Sequence, residues 1–200
     1  MKIARLKSFL KSFLIIVGLI APAYFSQASE AAPLSKFFDH PFDAVSVSQD
    51  ANGNMSTTHT VSDGKGHIRT ETVSPSATLI SIFDHESNVL CTIREKDKVI
   101  MRNKIAPYLM EPDAIPKQDL QQLGKRVING HPCTGESYHF ANTNFVTWRG
   151  QDVDNYTVKS VSKRNGIQTV TELKSYTNAA PDPSLFIVPS VGYTVQGAAQ

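Results

Sequence analysis

The stretch "NMSTTHTVSDGKGHIRTETV" (residues 54–73) sets two Thr/Val-rich runs on either side of Asp63-Gly64-Lys65-Gly66. Threonine and valine branch at Cβ, which costs rotamer freedom in a helix and suits a pleated surface. Asp-Gly accepts the positive φ that a tight hairpin turn requires. Residues 54–62 and 67–73 are therefore predicted to be an antiparallel hairpin, and the rest of the chain extends the pattern.

Before the hairpin, "AVSVS" (44–48) alternates with period two. After it, "TLISIFD" (78–84) and "NVLCTIR" (88–94) flank a short polar turn, and "KVIMRNK" (98–104) follows. Alternation puts Val89, Cys91 and Ile93 on one side and Leu90, Thr92 and Arg94 on the other. A break comes at 106–124, where Pro107, Pro112 and Pro116 exclude a central strand. Within it "KQDLQQL" is predicted to form one or two helical turns ending at Gly124. Strands resume with "KRVIN", "GESYHFA", "NFVTWRG", "NYTVKSVSK" and "IQTVTELKSY", separated by polar turns that include Asn165-Gly166. The sum is a mainly β chain of about nine to eleven antiparallel strands. A sheet of that length must curl so as not to leave open edges.

The amino terminus reads as an export signal. Lys2, Arg5, Lys7 and Lys11 precede the apolar run "FLIIVGLIAPAYF" (13–25), and Ser26-Gln27-Ala28 supplies a small-residue cleavage site. The run is too short to span a bilayer, which takes about 20 apolar residues. The expected organisation is a cleaved signal at 1–28, a linker at 29–41, one β domain at 42–196 and a flexible tail at 197–200. The chain carries 20 Lys+Arg and 18 Asp+Glu. Four of the basic residues lie in the signal, so the processed chain has 16 against 18, or −2. That balance leaves no basic stripe of the kind that holds nucleic acid. The expected location is the periplasm or the exterior, with no stable membrane span after processing.

The chemistry-bearing residues are sparse. In "VINGHPCTGESYHF" (127–140), His131 and Cys133 flank Pro132, and His139 follows. No second Cys/His pair lies nearby, and His40, His59, His67 and His85 are scattered singly, so no zinc-type spacing is present. Nucleophile-elbow and phosphate-loop patterns are absent as well. The expectation is no catalytic residue, no metal and no cofactor, with the HPC stretch read as a strand, a Gly-His-Pro turn and a strand. An exported chain with two cysteines on separate strands leads us to expect a Cys91–Cys133 disulfide; two free cysteines, one of them buried, are the alternative.

Four phrases occur in a familiar order: "FDAVSVSQDANGNMSTTHTVSDGKGHIRTE" (42–71), "LISIFDHESNVLCTIREKDKVIM" (79–101), "LGKRVINGHPCTGESYHF" (123–140) and "PDPSLFIVPSVGYTV" (181–195). Together they resemble the LolA-like superfamily, and within it the periplasmic DUF4412-type and lipoprotein-sorting-like proteins more than the true lipoprotein carrier. The resemblance spans residues 42–195. It implies an unclosed half-barrel with one or two short helices on the concave face, and a cavity for a lipid or acyl chain. On that reading Leu79, Ile82, Val89, Ile93, Met101, Phe140 and Trp148 line the cavity; the alternative is that they are core. The partners implied are a lipid or acyl chain, or else an envelope protein that docks on a filled core.

Overall fold

The computed structural model describes residues 39–105 and 117–197. The expected signal, most of the linker, residues 106–116 and the last three residues lie outside them. Twelve strands form one sheet: β1 (Pro41–Asp50), β2 (Met55–Asp63), β3 (His67–Val73), β4 (Thr78–Asp84), β5 (Val89–Arg94), β6 (Val99–Lys104), β7 (Gln118–Ile128), β8 (His131–Phe140), β9 (Thr143–Gly150), β10 (Thr157–Arg164), β11 (Ile167–Thr177) and β12 (Thr194–Gly197). Their order across the sheet is β12-β6-β5-β4-β3-β2-β1-β11-β10-β9-β8-β7. Every pair is antiparallel except β12, which runs parallel to β6. Two meanders, β1–β6 and β7–β11, are thus joined by a single seam between β1 and β11.

The opening hairpin forms as its composition predicts. Asp63 Oδ1 accepts from the amides of Lys65 (2.7 Å) and His67 (3.0 Å), which folds the turn onto the aspartate. Gly64 takes φ 68°, and a Cβ there would come within 2.8 Å of the His40–Pro41 backbone. Only glycine lets the turn cross the start of β1 so closely.

The expected helical turns at 117–124 are not present. Residues 118–128 are instead the exposed edge strand β7, paired along β8 with bulges at Gln118/Gln121 and Gln122/Gly124. Gln and Leu suit a helix, but so short a stretch cannot hold one alone, and pairing with β8 satisfies its backbone. Among the described residues the only helical pieces are two 3-10 turns, Gln151–Val153 and Pro183–Phe186. The HPC stretch is also re-read. Asn129 (φ 50°) and Gly130 (φ 88°) make the turn, and His131 already belongs to β8.

Curvature follows from chain length. β6 and β7 stand ten strand spacings apart, about 48 Å in a flat sheet at about 4.8 Å each. The connection from Ile105 to Lys117 can reach only about 40–43 Å even when fully extended. The sheet must curl. Ile105 packs against Ile68, Phe83 and Leu90, while Lys117 contacts Glu136 and Tyr138. Strand register puts all of these on one face, which is therefore the inside of the curl.

The opposite, outer face is closed by the chain's own end. Ile82, Cys91, Ile93 and Ile100 form a buried cluster with Val188 and Tyr193 packed over it. Tyr193 Oη donates to Glu95 Oε2 at 2.6 Å and Lys98 Nζ donates to the same oxygen at 2.9 Å, fastening the segment beside β12. A third cluster joins Phe42, Ala44 and Leu173 at the seam to Val158, Val153, Cys133 and Trp148.

Candidate ligand-binding concavity

Register determines what the inner face displays. One cross-strand row reads Thr60, Thr70, Ser81, Thr92, Met101 from β2 to β6. A second reads Ser48, Thr171, Ser160, Thr147, Glu136 from β1 to β8. Hydroxyls dominate both rows, and several are paired with one another. The Ser48 and Thr171 hydroxyls lie 2.8 Å apart, and on the same face those of Thr58 and Thr72 lie 3.1 Å apart. Each such pair gives both hydroxyls a hydrogen-bonding partner within the sheet.

A cavity of about 290 Å³ opens on this face across β1, β2, β9, β10 and β11. Ser46, Thr58, Arg149, Tyr156, Thr157, Ser160 and Thr171 line it. Tyr156 closes one side. Burial pushes its phenol above the ordinary value, and hydrogen bonds with Thr60 and Ser46 hold it in place. Beside the cavity, Glu136 takes Lys117 Nζ at 2.8 and 3.0 Å and Arg149 Nε at 3.6 Å. All three side chains are well shielded, with exposures of 11% for Lys117, 13% for Glu136 and 16% for Arg149. The Lys117 ammonium also stands 5.1 Å from the centre of the Tyr138 ring.

At the seam end of the same cavity, Phe42, Tyr156 and Tyr176 form an aromatic group with ring centres 5.5–5.8 Å apart. Tyr176 Oη donates to Asp154 Oδ2 at 2.9 Å, and burial together with that carboxylate raises its pKa well above the usual phenol range. Phe42 is 1% exposed, and of the three rings Tyr156 is the one that lines the cavity.

The seven residues expected to line a cavity are divided by the sheet. Leu79, Met101 and Phe140 are on the inner face; Ile82, Val89 and Ile93 are on the outer face under the closing segment. Trp148 points outward too, over Gly135 and under the Arg126 guanidinium at 4.9 Å. Sequence reasoning misses the lining hydroxyls and Arg149 because it seeks apolar side chains. The available signal is the spacing of Ser46/Ser48, Thr58/Thr60, Thr70/Thr72 and Thr169/Thr171, each pair on one face of its strand.

The expected Cys91–Cys133 disulfide is not formed; both thiols are free and buried. Seven strands separate β5 from β8, and the two sulfurs belong to different clusters, far beyond the Cα separation of about 7 Å that a bridge tolerates. Burial raises the pKa of each, which keeps them as thiols. Cys133 Sγ donates to the His131 carbonyl at 3.3 Å, while the His131 ring turns away to Asp152 at 3.0 Å. Among the described residues no group of three His, Cys, Asp or Glu is placed to hold a metal ion. No helix among them is long and apolar enough to cross a membrane.

No family model matches the chain, and no curated protein does. Solved structures do align. An uncharacterised conserved protein of Thermus thermophilus superposes at TM-score 0.63 and 8% identity over 82% of this chain and 93% of its own. MucB aligns at TM-score 0.47 and 16% identity, over 76% of this chain and 58% of its own. A LolA superfamily protein from Nitrosomonas europaea aligns at 0.42 and 8%, over 75% and 91%. Identities this low speak of architecture alone. The chain is an unclosed, curled β-sheet, an architecture it shares with the Thermus thermophilus protein.

Proposed function

We propose that the protein is an exported binding protein that takes a lipid or acyl-chain-bearing ligand into the concavity of its half-barrel. The observation that carries this reading is the cavity of about 290 Å³ on the inner face, with the Tyr156 ring along one side. Leu79, Met101 and Phe140 give the same face apolar ground beyond the cavity. The basic and apolar leader at 1–28 supports delivery to the periplasm. The resemblance in the four ordered phrases supports the ligand class. A docking role with a filled core is the competing reading, and the open concavity weighs against it.

Native mass spectrometry of the protein recovered from the cell envelope tests the proposal. The expected spectrum shows a processed chain with a stoichiometric adduct of lipid mass. A bare chain that also takes up no fluorescent fatty acid after delipidation would overturn it.

A further inference from the structure

The sheet protects its two ends in different ways. Among the described residues β7 is one end, and it carries devices that discourage a second chain from pairing. It has two bulges, Asp119 in the left-handed region at φ 53°, and the exposed cations Lys125 and Arg126. β6, near the other end, has neither bulge nor left-handed residue. It pairs with β5 in unbroken register from Val99 to Lys104. Its charges, Arg102 and Lys104, stand in one half, and Val99, Ile100 and Met101 form an uncharged run. Left bare, so regular an edge is a template for another strand.

β12 covers that run. Thr194, Val195 and Gln196 pair with Val99, Ile100 and Met101 in the sheet's one parallel pairing. Yet all four β12 residues are exposed, so no buried side chain of its own holds the strand in place. The hold comes from Tyr193, just before it. The Tyr193 ring packs on the Ile82–Ile100 cluster, and its hydroxyl donates to Glu95 at 2.6 Å. Lys98 Nζ stands 4.8 Å from the ring centre, and the Lys98 carbonyl accepts from the Thr194 amide at 2.8 Å. On the other side of Tyr193 the chain turns at Val191-Gly192. Val191 is 90% exposed, and Gly192 takes φ 80° with open space around it. Residues 193–197 are thus a strand on a hinge, fastened chiefly by one side chain.

We infer that Tyr193–Gly197 is a displaceable guard that keeps the β6 edge from pairing with a second copy of this chain. Swinging about Val191-Gly192, it bares Val99–Met101 while Val188 stays on the outer cluster. Two bared β6 edges then pair antiparallel about a two-fold axis. The assembly stops at two copies, because the remaining edge of each is β7 with its bulges and cations. The guard is an autoinhibitory contact, independent of whatever the concavity holds.

Hydrogen exchange and sedimentation of the full processed chain test it. Tyr193→Phe keeps the ring and removes the bond to Glu95. The amides of 194–197 should then exchange about tenfold faster, the scale of one hydrogen bond to a charged group, with those of β8 and β9 unchanged. Tyr193→Ala should release the guard and give a concentration-dependent dimer. An excess of a peptide of residues 187–197 should return that variant to monomer, which general destabilisation would not allow. If Tyr193→Ala does not fold, Gly197→Ala decides. At φ 125° a Cβ there would collide with the Arg102 carbonyl, lifting the end of β12 without touching the cluster, and the same dimer is expected. Unchanged exchange in Tyr193→Phe, or monomers of the folded variants at every concentration, would overturn the guard. A dimer that the peptide leaves intact would overturn pairing through β6, and assemblies larger than two would overturn closure at β7.

Discussion

The two faces of this sheet are built from the same strands and have opposite surfaces. In β4 and β5 the outward positions Ile80, Ile82, Cys91 and Ile93 are apolar and sealed under Val188 and Tyr193. The alternate, inward positions mix Ser81 and Thr92, hydroxyls in a row that continues to Thr60, with Phe83 and Leu90, which pack under Ile105. Alternation shows that two faces exist, and hydrophobicity is then a poor guide to which one holds the cavity. Here the greasier face is the one the chain covers for its own stability. The inner face is mixed: its hydroxyl rows lie between two apolar clusters, one under Ile105 and one at the seam.

Substitutions on the two faces should therefore separate stability from binding. The largest effect is expected from Ile93→Ala, which empties a side chain 2% exposed beneath the closing segment. We expect a loss of about 2–5 kcal/mol in denaturant unfolding, with ligand affinity of the folded fraction unchanged. An affinity loss at Ile93 would mean that the outer cluster, and not the inner face, lines the site.

Gly135→Ala comes next. A Cβ there would stand 2.5 Å from the Trp148 ring, so the indole must move. A cost of about 1–3 kcal/mol is expected from overpacking. Trp148 is the chain's one tryptophan, so its emission should shift in the folded state. Unchanged emission would show that Trp148 does not rest on Gly135.

The Asp63 turn gives a smaller, pH-dependent effect. Burial alone would raise this carboxyl, but hydrogen bonds from Lys65 and His67 outweigh it and hold the pKa below its usual value. A depressed folded-state pKa means the stabilisation is fully present above about pH 4 and disappears as the pH falls below it. Asp63→Ala should cost about 1–2 kcal/mol at pH 7 and progressively less under acid, as thermal melts across that range would show. A cost that persists undiminished in acid would assign the turn's stability to Gly64 instead.

On the inner face, Thr58→Val breaks the hydroxyl pair with Thr72 yet keeps the shape. A loss of no more than about 1 kcal/mol is expected, alongside a change in ligand affinity because Thr58 lines the cavity. The smallest effect belongs to the thiols. Reductant should leave the melting temperature unchanged, and a thiol reagent should titrate both cysteines only after unfolding, since each is buried and free. A reductant-sensitive melt would restore the disulfide.

What was legible in the sequence was local. Asp63-Gly64 and Asn165-Gly166 announce their turns because positive φ, taken by Gly64, Asn165 and Gly166, is accepted most readily by glycine and asparagine. β4, β5 and β6 are framed by alternation to within a residue. β7 was not legible: Gln118–Gln122 prefer a helix when taken alone, and only the partner strand β8 makes them a strand. β12 is a short strand after a Pro- and Gly-containing stretch, and its partner is β6, far earlier in the chain. The cavity was misread for a related reason. Arg149 meets Glu136 across β9 and β8, and Tyr156 reaches Ser46 and Thr60 from the far meander, pairings that no window of sequence contains.

The β1–β11 seam has a consequence for how the molecule is made. Ser48 and Thr171, bonded across it, are 123 residues apart. β1 is an early strand of the chain and can pair with β2 as soon as the first hairpin forms, yet its other edge has no partner until β11 arrives. Closing a loop of that length before any contact repays it is slow. The first meander must therefore persist with a bare edge, open to pairing with strangers, until the second meander is complete. A chain that emerges amino terminus first presents that edge for as long as the second meander takes to arrive.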